Sequence, residues 1–156
     1  MHPRVREFST QVERDYGIEI DVREFPEGTK TAADAASAIG CDVSQIASSI
    51  VVRADDGLAV VITSGANRVS LEKVGELLDT TDVTMAEGDE IADRLGWSIG
   101  GVPPLCHETP VPILFDETLL DHETVWAAAG TPQAVFPIPP DLLVDYSAAR
   151  VADVEE

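Results

Sequence analysis

Two apolar runs either side of a tight-turn signal place the strongest constraint on this chain. Residues 46–52 and 58–63 are rich in Ile and Val and flank Asp55-Asp56-Gly57. An Asp-Gly step between two such runs favours a short hairpin, because it tolerates the backbone twist that the flanking strands impose. The two runs are therefore expected to pair antiparallel near the centre of a sheet.

The rest of the chain supplies elements to cover that sheet. Val5, Phe8, Val12 and Tyr16 recur at helical spacing and predict an amphipathic helix over residues 3–16, ended by Gly17. Ile18, Ile20 and Val22 alternate with charged residues and predict a half-buried strand. Thr31-Ala-Ala-Asp34 has capping-box spacing before a short Ala-rich helix that Gly40 closes. Further helices are expected over 70–78, with Leu71, Val74, Leu77 and Leu78 on one face, and over 87–95, closed by Gly96. Short strands are expected at 112–115, 125–129 and 133–138, with a helical turn over 117–120. A last helix starts at Pro139-Pro140 and runs to Leu143. The reading is one domain over residues 1–147, followed by an acidic C-terminal tail, 148–156, that is expected to fray.

Charge narrows the setting. The 156 residues carry 29 Asp and Glu against 10 Lys and Arg, a formal charge of −19, and Lys30 and Lys73 are the only lysines. Such an excess repels itself in the compact state and is tolerable where molar salt shortens the screening length to about 3 Å. The acidic residues are dispersed rather than blocked, which favours a salt-adapted cytoplasm over an acidic docking face. No apolar stretch is long enough to span a bilayer, and the first residues lack a signal peptide's apolar core, so neither a membrane nor a secreted location is expected. Cys41 and Cys106 read as free thiols. Cys106-His107 is half a metal site at most, with no second pair at ligand spacing, so no metal and no cofactor are expected.

Residues 97–112 break the pattern. They are rich in Gly and Pro and almost free of charge, which marks either a loop shaped for a purpose or a plain turn between strands. No G-x-S-x-G and no G-x-x-x-x-G-K-[ST] occurs, which leaves serine-hydrolase and phosphate-loop chemistry without their motifs. Asp116 reads equally as a group that orients water or ribose and as a helix cap. His107, beside the loop, reads as a packing residue more readily than as a pocket residue.

One ordered series ties these pieces together. Thr29-Lys-Thr31-Ala-Ala-Asp-Ala-Ala36, Gln45-Ile46 leading into the hairpin, Gly96-Trp-Ser-Ile-Gly100-Gly101-Val-Pro-Pro104, Phe115-Asp116-Glu117 and Ala129-Gly130-Thr131 resemble the YbaK/aminoacyl-tRNA synthetase-associated editing domains. That family includes free-standing deacylases and the editing insertion of some prolyl-tRNA synthetases. The resemblance implies an α/β (α+β) fold: a mixed, largely antiparallel sheet, partly closed into a barrel and flanked by helices. It also implies hydrolysis, in trans, of the ester that joins a wrong amino acid to a tRNA 3′ end, with the aminoacylated 3′ end and an aminoacyl-tRNA synthetase as partners. Gly100 and Pro104 take the places of the G-x-x-x-P loop beside that ester. Gly100, Gly101, Pro104 and Ser48 are the expected catalytic positions. Thr29, Thr31, Val102, Asp116, Gly130 and Thr131 are the expected substrate contacts.

The chain departs from the family at two places. Ser48 stands where many members carry a lysine able to hold phosphate or ribose by charge, and a serine hydroxyl offers only a neutral hydrogen bond. Ser48 also reads simply as a small residue on a buried strand. Gly65-Ala66-Asn67 replaces a frequent Gly-Asp. Two readings follow: a deacylase of the Cys-tRNA(Pro) or Ala-tRNA(Pro) type, or a catalytically silent binding module of the same fold.

Overall fold

The computed structural model of the chain describes residues 1–25 and 31–156. Its centre is the expected hairpin: β2 (Ile46–Ala54) and β3 (Gly57–Ser64) pair antiparallel, Ala47 opposite Ser64 and Ala54 opposite Gly57. Asp55 carries the turn at a φ of 54°, a conformation that a short polar side chain tolerates better than most.

Around it lie β1 (Arg23–Glu24), β4 (Val83–Met85), β5 (Ile113–Asp116), β6 (Val125–Ala128), β7 (Ala134–Ile138) and β8 (Arg150–Ala152). Among the described residues the strand order is β1-β7-β6-β2-β3-β5-β8, with β4 also on β2. The β1/β7, β6/β7, β2/β3 and β2/β4 pairs are antiparallel, and the β2/β6, β3/β5 and β5/β8 pairs are parallel. The sheet is mixed, largely antiparallel and only partly closed. It ends at β1 and β8 without hydrogen bonds between them.

Helices cover both faces, which is why the hairpin runs are apolar without alternation. On one face Val5, Phe8 and Val12 of α1 (Pro3–Tyr16) are wholly buried against Ala47, Val51, Val60 and Ile62. Phe8 packs edge-on to Trp97, with centroids 5.9 Å apart, and lies 5.5 Å from Phe136. On the other face Val52, Ala59 and Val61 meet Val74 of α3 (Leu71–Leu78), while Ile46 meets Ala35 and Ala36 of α2 (Ala32–Ile39). Two further helices, α4 (Gly88–Leu95) and α5 (Pro140–Ser147), complete the layers. None of the described helices is long and apolar enough to cross a membrane.

Two expectations need correction. The alternating stretch 18–22 is not a strand. Ile18, Ile20 and Val22 lean on the core as irregular chain, and ladder pairing with β7 begins only at Arg23. Alternation buries one face but does not create a partner strand. The C-terminal segment also does not fray. β8 adds to β5 in parallel, Val154 is fully buried, and Ser70 N–H donates to the Val154 carbonyl at 2.8 Å. One apolar anchor and a row of backbone bonds hold these acidic residues in place.

Candidate active site

The site forms where β2 runs short of neighbours. β6 pairs with β2 only at Ile46 and Ala47, and β4 only from Val52 to Ala54. The uncovered edge between them lines a cavity of about 420 Å³. Its other walls are Ile99, Gly100 and Val102 of the Gly/Pro loop, Thr131 and Pro132 after β6, and Thr31 and Ala32 at the start of α2.

Of the residues expected from sequence, Ser48, Gly100, Val102, Thr31 and Thr131 come together around this cavity. The Thr31 hydroxyl oxygen accepts the Asp34 N–H at 3.1 Å and so caps α2. The Thr131 hydroxyl oxygen accepts from Gln133 N–H at 3.3 Å. Gly101, Pro104, Gly130 and Asp116 do not line the cavity, and Thr29 lies outside the described residues.

Gly101 and Gly130, beyond the wall, have structural tasks. Gly101 N–H donates to the Ser98 carbonyl at 3.0 Å, which commits it to the loop's own turn. A Cβ on Gly101 would sit 2.6 Å from Thr131 Cα, so glycine is what lets the two walls approach each other. Gly130 holds a φ of 109°, and a Cβ there would press on Trp97 and the Arg4 carbonyl. Arg4 in turn lies over the Trp97 ring at 4.0 Å and donates to the Gly96 carbonyl, which ties α1 to the loop. His107 Nε2 bonds the Pro103 carbonyl at 2.7 Å, and burial lowers its pKa, so it staples the loop. The Cys106 thiol is pushed up to about 11, first by burial and then by the charge of Asp15. It is no ready nucleophile.

Asp116 is buried completely. Its Oδ2 accepts from Thr63 Oγ1, Ser64 N–H and Asn67 Nδ2, and its Oδ1 accepts from Thr118 N–H and Oγ1, all within 3.2 Å. Burial alone would raise its pKa, but these donors outweigh it and hold the carboxyl below its ordinary value. The cap reading of Asp116 therefore holds, because it opens the helical turn Glu117–Asp121. Asn67 keeps a polar link at the altered Gly-Asp position.

Sequence reasoning missed Ser49, Thr63 and Trp126, which also line the cavity. The hairpin register was a signal for Ser49 on β2 and Thr63 on β3, whereas Trp126 on β6 reaches the cavity only through the parallel pairing of β6 with β2.

The sequence profile of the aminoacyl-tRNA editing domain matches residues 26–146. The chain belongs to that family. Helix α1, which anchors the loop of this editing domain, precedes the matched segment. A solved structure described as a candidate trans-editing enzyme for prolyl tRNA synthetase is 39% identical, with a TM-score of 0.93, over 100% of this chain and 99% of that one. The uncharacterized protein YwhH of Bacillus subtilis is 29% identical over 136 residues, 85% of each chain. The proline–tRNA ligase of Bacillus pumilus is 31% identical over 127 residues, which is 81% of this chain but 21% of the ligase. The editing domain thus corresponds to a minor part of the ligases it matches.

No ionisable side chain lines the cavity of the editing domain among the described residues. Basic groups sit outside it. Arg23 lies over the Trp126 ring at 4.8 Å, Arg53 pairs with Glu90 at 3.6 Å and Lys73 with Asp153 at 2.8 Å. Lys30 lies outside the described residues. Arg68 lines a second cavity, of about 720 Å³, which shares Ile50, Thr63, Asn67 and Met85 with the first.

Proposed function

We propose that this chain is a trans-acting aminoacyl-tRNA deacylase of the prolyl type, which clears Cys-tRNA(Pro)- or Ala-tRNA(Pro)-like esters in a salt-rich cytoplasm. The observation that carries this reading is a cavity walled by backbone, hydroxyl and apolar side chains and, among the described residues, free of titratable groups. With Gly101 N–H committed and Pro103 and Pro104 lacking one, Ile99, Gly100 and Val102 are the loop residues at the cavity with N–H groups to offer a developing oxyanion. The acid–base work then falls to the substrate. Water adds to the acyl carbon, the vicinal ribose hydroxyl relays its proton to the leaving ribose oxygen, and the ester C–O bond breaks to give amino acid and free tRNA. Action in trans is supported by the like extent of the trans-editing neighbour, and a prolyl-tRNA synthetase partner by the ligase relatives.

The deciding measurement is deacylation of a panel of mischarged tRNAs in molar potassium chloride. A prolyl tRNA bearing a small wrong amino acid should be cleared, and the log of the rate should climb with pH up to the substrate's own α-amino pKa, about 7.7–8.0, without a histidine or cysteine break below it. A further break below that value would place a protein acid or base at the centre and sink the mechanism. Turnover of no substrate in the panel would leave the silent binding module, the reading that Ser48 favours.

Ser48→Lys tests the missing charge. A charge-assisted hydrogen bond to phosphate or ribose contributes about 1.5–3 kcal/mol against about 1 for a neutral one, so hydrolysis or tRNA binding should improve roughly tenfold. An inactive variant several kcal/mol less stable, beside an inactive wild type, would mean that the ammonium is buried unpaired and would remove the deacylase reading.

A further inference from the structure

We infer that Ser49 is the docking point for the α-amino group of the acyl moiety, which lies along the open edge of β2 like one residue of a missing strand. This rests on the editing reading above and deepens it.

The inference starts from the register. In an antiparallel pair, successive residues turn their N–H and C=O to opposite edges. Gly65 N–H donates to the Ile46 carbonyl at 2.8 Å, so the even-numbered residues of β2 face β3. The odd-numbered ones face the other edge. There the Val51 carbonyl accepts from Ala86 N–H at 3.1 Å, and Asp55 N–H donates to the Asp82 carbonyl at 3.0 Å. Ala47, in register with Ala127, is covered by β6. Ser49 falls between the two covering strands, in register with neither β6 nor β4, so its N–H and C=O face an uncovered stretch of that edge. Its Oγ, meanwhile, is buried with no hydrogen-bond partner.

Buried polar groups are almost always paired, so an orphaned hydroxyl on a residue whose N–H and C=O face an uncovered strand edge, at the wall of a cavity, describes a place for a ligand. The pattern also says which ligand. A strand edge offers an acceptor and a donor in alternation, and an α-aminoacyl ester presents the complement, an ammonium that donates and a carbonyl that accepts. The Ser49 carbonyl and hydroxyl oxygen accept from the ammonium. The Ser49 N–H meets the ester carbonyl oxygen of the bound ground state. Among the described residues no basic side chain lines the cavity to compete with that cation.

Recognition by main chain ignores the amino acid's side chain but requires a free amine. The enzyme would then spare esters whose α-nitrogen is acylated, a class that includes peptidyl-tRNA. An amide nitrogen carries no charge and brings a bulky acyl group to the strand edge.

The test uses two hydrolysis-resistant compounds, 3′-(L-alanylamino)-3′-deoxyadenosine and its N-acetyl derivative, titrated calorimetrically into the full chain in molar potassium chloride. The free amine should bind at least about tenfold more tightly than the acetylated compound, as expected when a charged hydrogen bond is lost. Ser49→Ala should weaken the free-amine compound about threefold without lowering the melting temperature, since it removes a hydroxyl that has no partner within the fold. Equal binding of the two compounds would overturn the Ser49 subsite and leave the editing reading standing. Binding of neither would overturn both.

Discussion

Replacing Asp116 by alanine should cost at least about 3 kcal/mol, because five hydrogen bonds converge on a carboxylate that is wholly buried. The loss is larger than a surface cap's because the donors stay buried when their acceptor goes, and each is left to find water or remain unpaired. Asp116→Asn keeps the shape but turns one acceptor into a donor, and should fall between alanine and wild type. The same carboxyl sets a pH dependence. Its folded pKa lies below the ordinary 3.8, so its contribution is complete above that value and disappears as pH falls through the folded value. Urea denaturation at pH 7 and pH 3 reads this directly. The drop in stability between the two should be smaller in Asp116→Asn than in wild type. An equal drop in both proteins would show that the Asp116 network carries no net stabilisation.

This network also shows how far the sequence could be read. Asp116 as a cap was legible, since Thr118 follows at the right distance. Its bonds to Thr63, Ser64 and Asn67 were not, because they depend on β5 lying parallel to β3 in one register out of several. Helices ended by glycine were easy to delimit: Gly17, Gly40 and Gly96 all hold the left-handed conformation that stops a helix. Asp79 and Ala148 do the same job at φ of 59° and 56° without the composition that announces it, so α5 runs past Leu143 to Ser147. Strands of three residues, such as β4 and β8, are too short for a period to be seen. The hairpin, by contrast, was written in ten apolar residues and a turn.

At the site, composition marked the loop but not the tasks within it. A charge-free Gly/Pro stretch signals a shaped backbone, yet it cannot say which glycine meets substrate and which meets protein. Gly100 reaches the cavity while Gly101, its neighbour, is pressed against Thr131. Ser49 was invisible for a related reason. An unpartnered hydroxyl follows from which neighbours a strand lacks, and the gap between β6 and β4 is a property of the sheet rather than of any local pattern.

Gly101→Ala should therefore be the most damaging single methyl group in the loop. Its Cβ would lie 2.6 Å from Thr131 Cα, 2.7 Å from Thr131 C and 2.9 Å from Pro132 N, and all three are backbone atoms that cannot rotate away. Relief requires the loop and the segment after β6 to move apart by several tenths of an ångström. Overpacking of this kind costs about 1–3 kcal/mol. The functional cost is larger, because the same movement separates Gly100 and Val102 on one wall from Thr131 and Pro132 on the other. Misplacing catalytic donors by about 1 Å lowers rates roughly 100-fold, so kcat/KM for the mischarged tRNA should fall by one to two orders of magnitude. Gly57→Ala is the control. Its Cβ would meet nothing nearer than the Ala54 carbonyl at 4.0 Å, and it should leave both stability and rate near wild type. If Gly101→Ala melted and turned over like wild type, the loop would yield without consequence, and its close approach to Thr131 would not be what positions the donors.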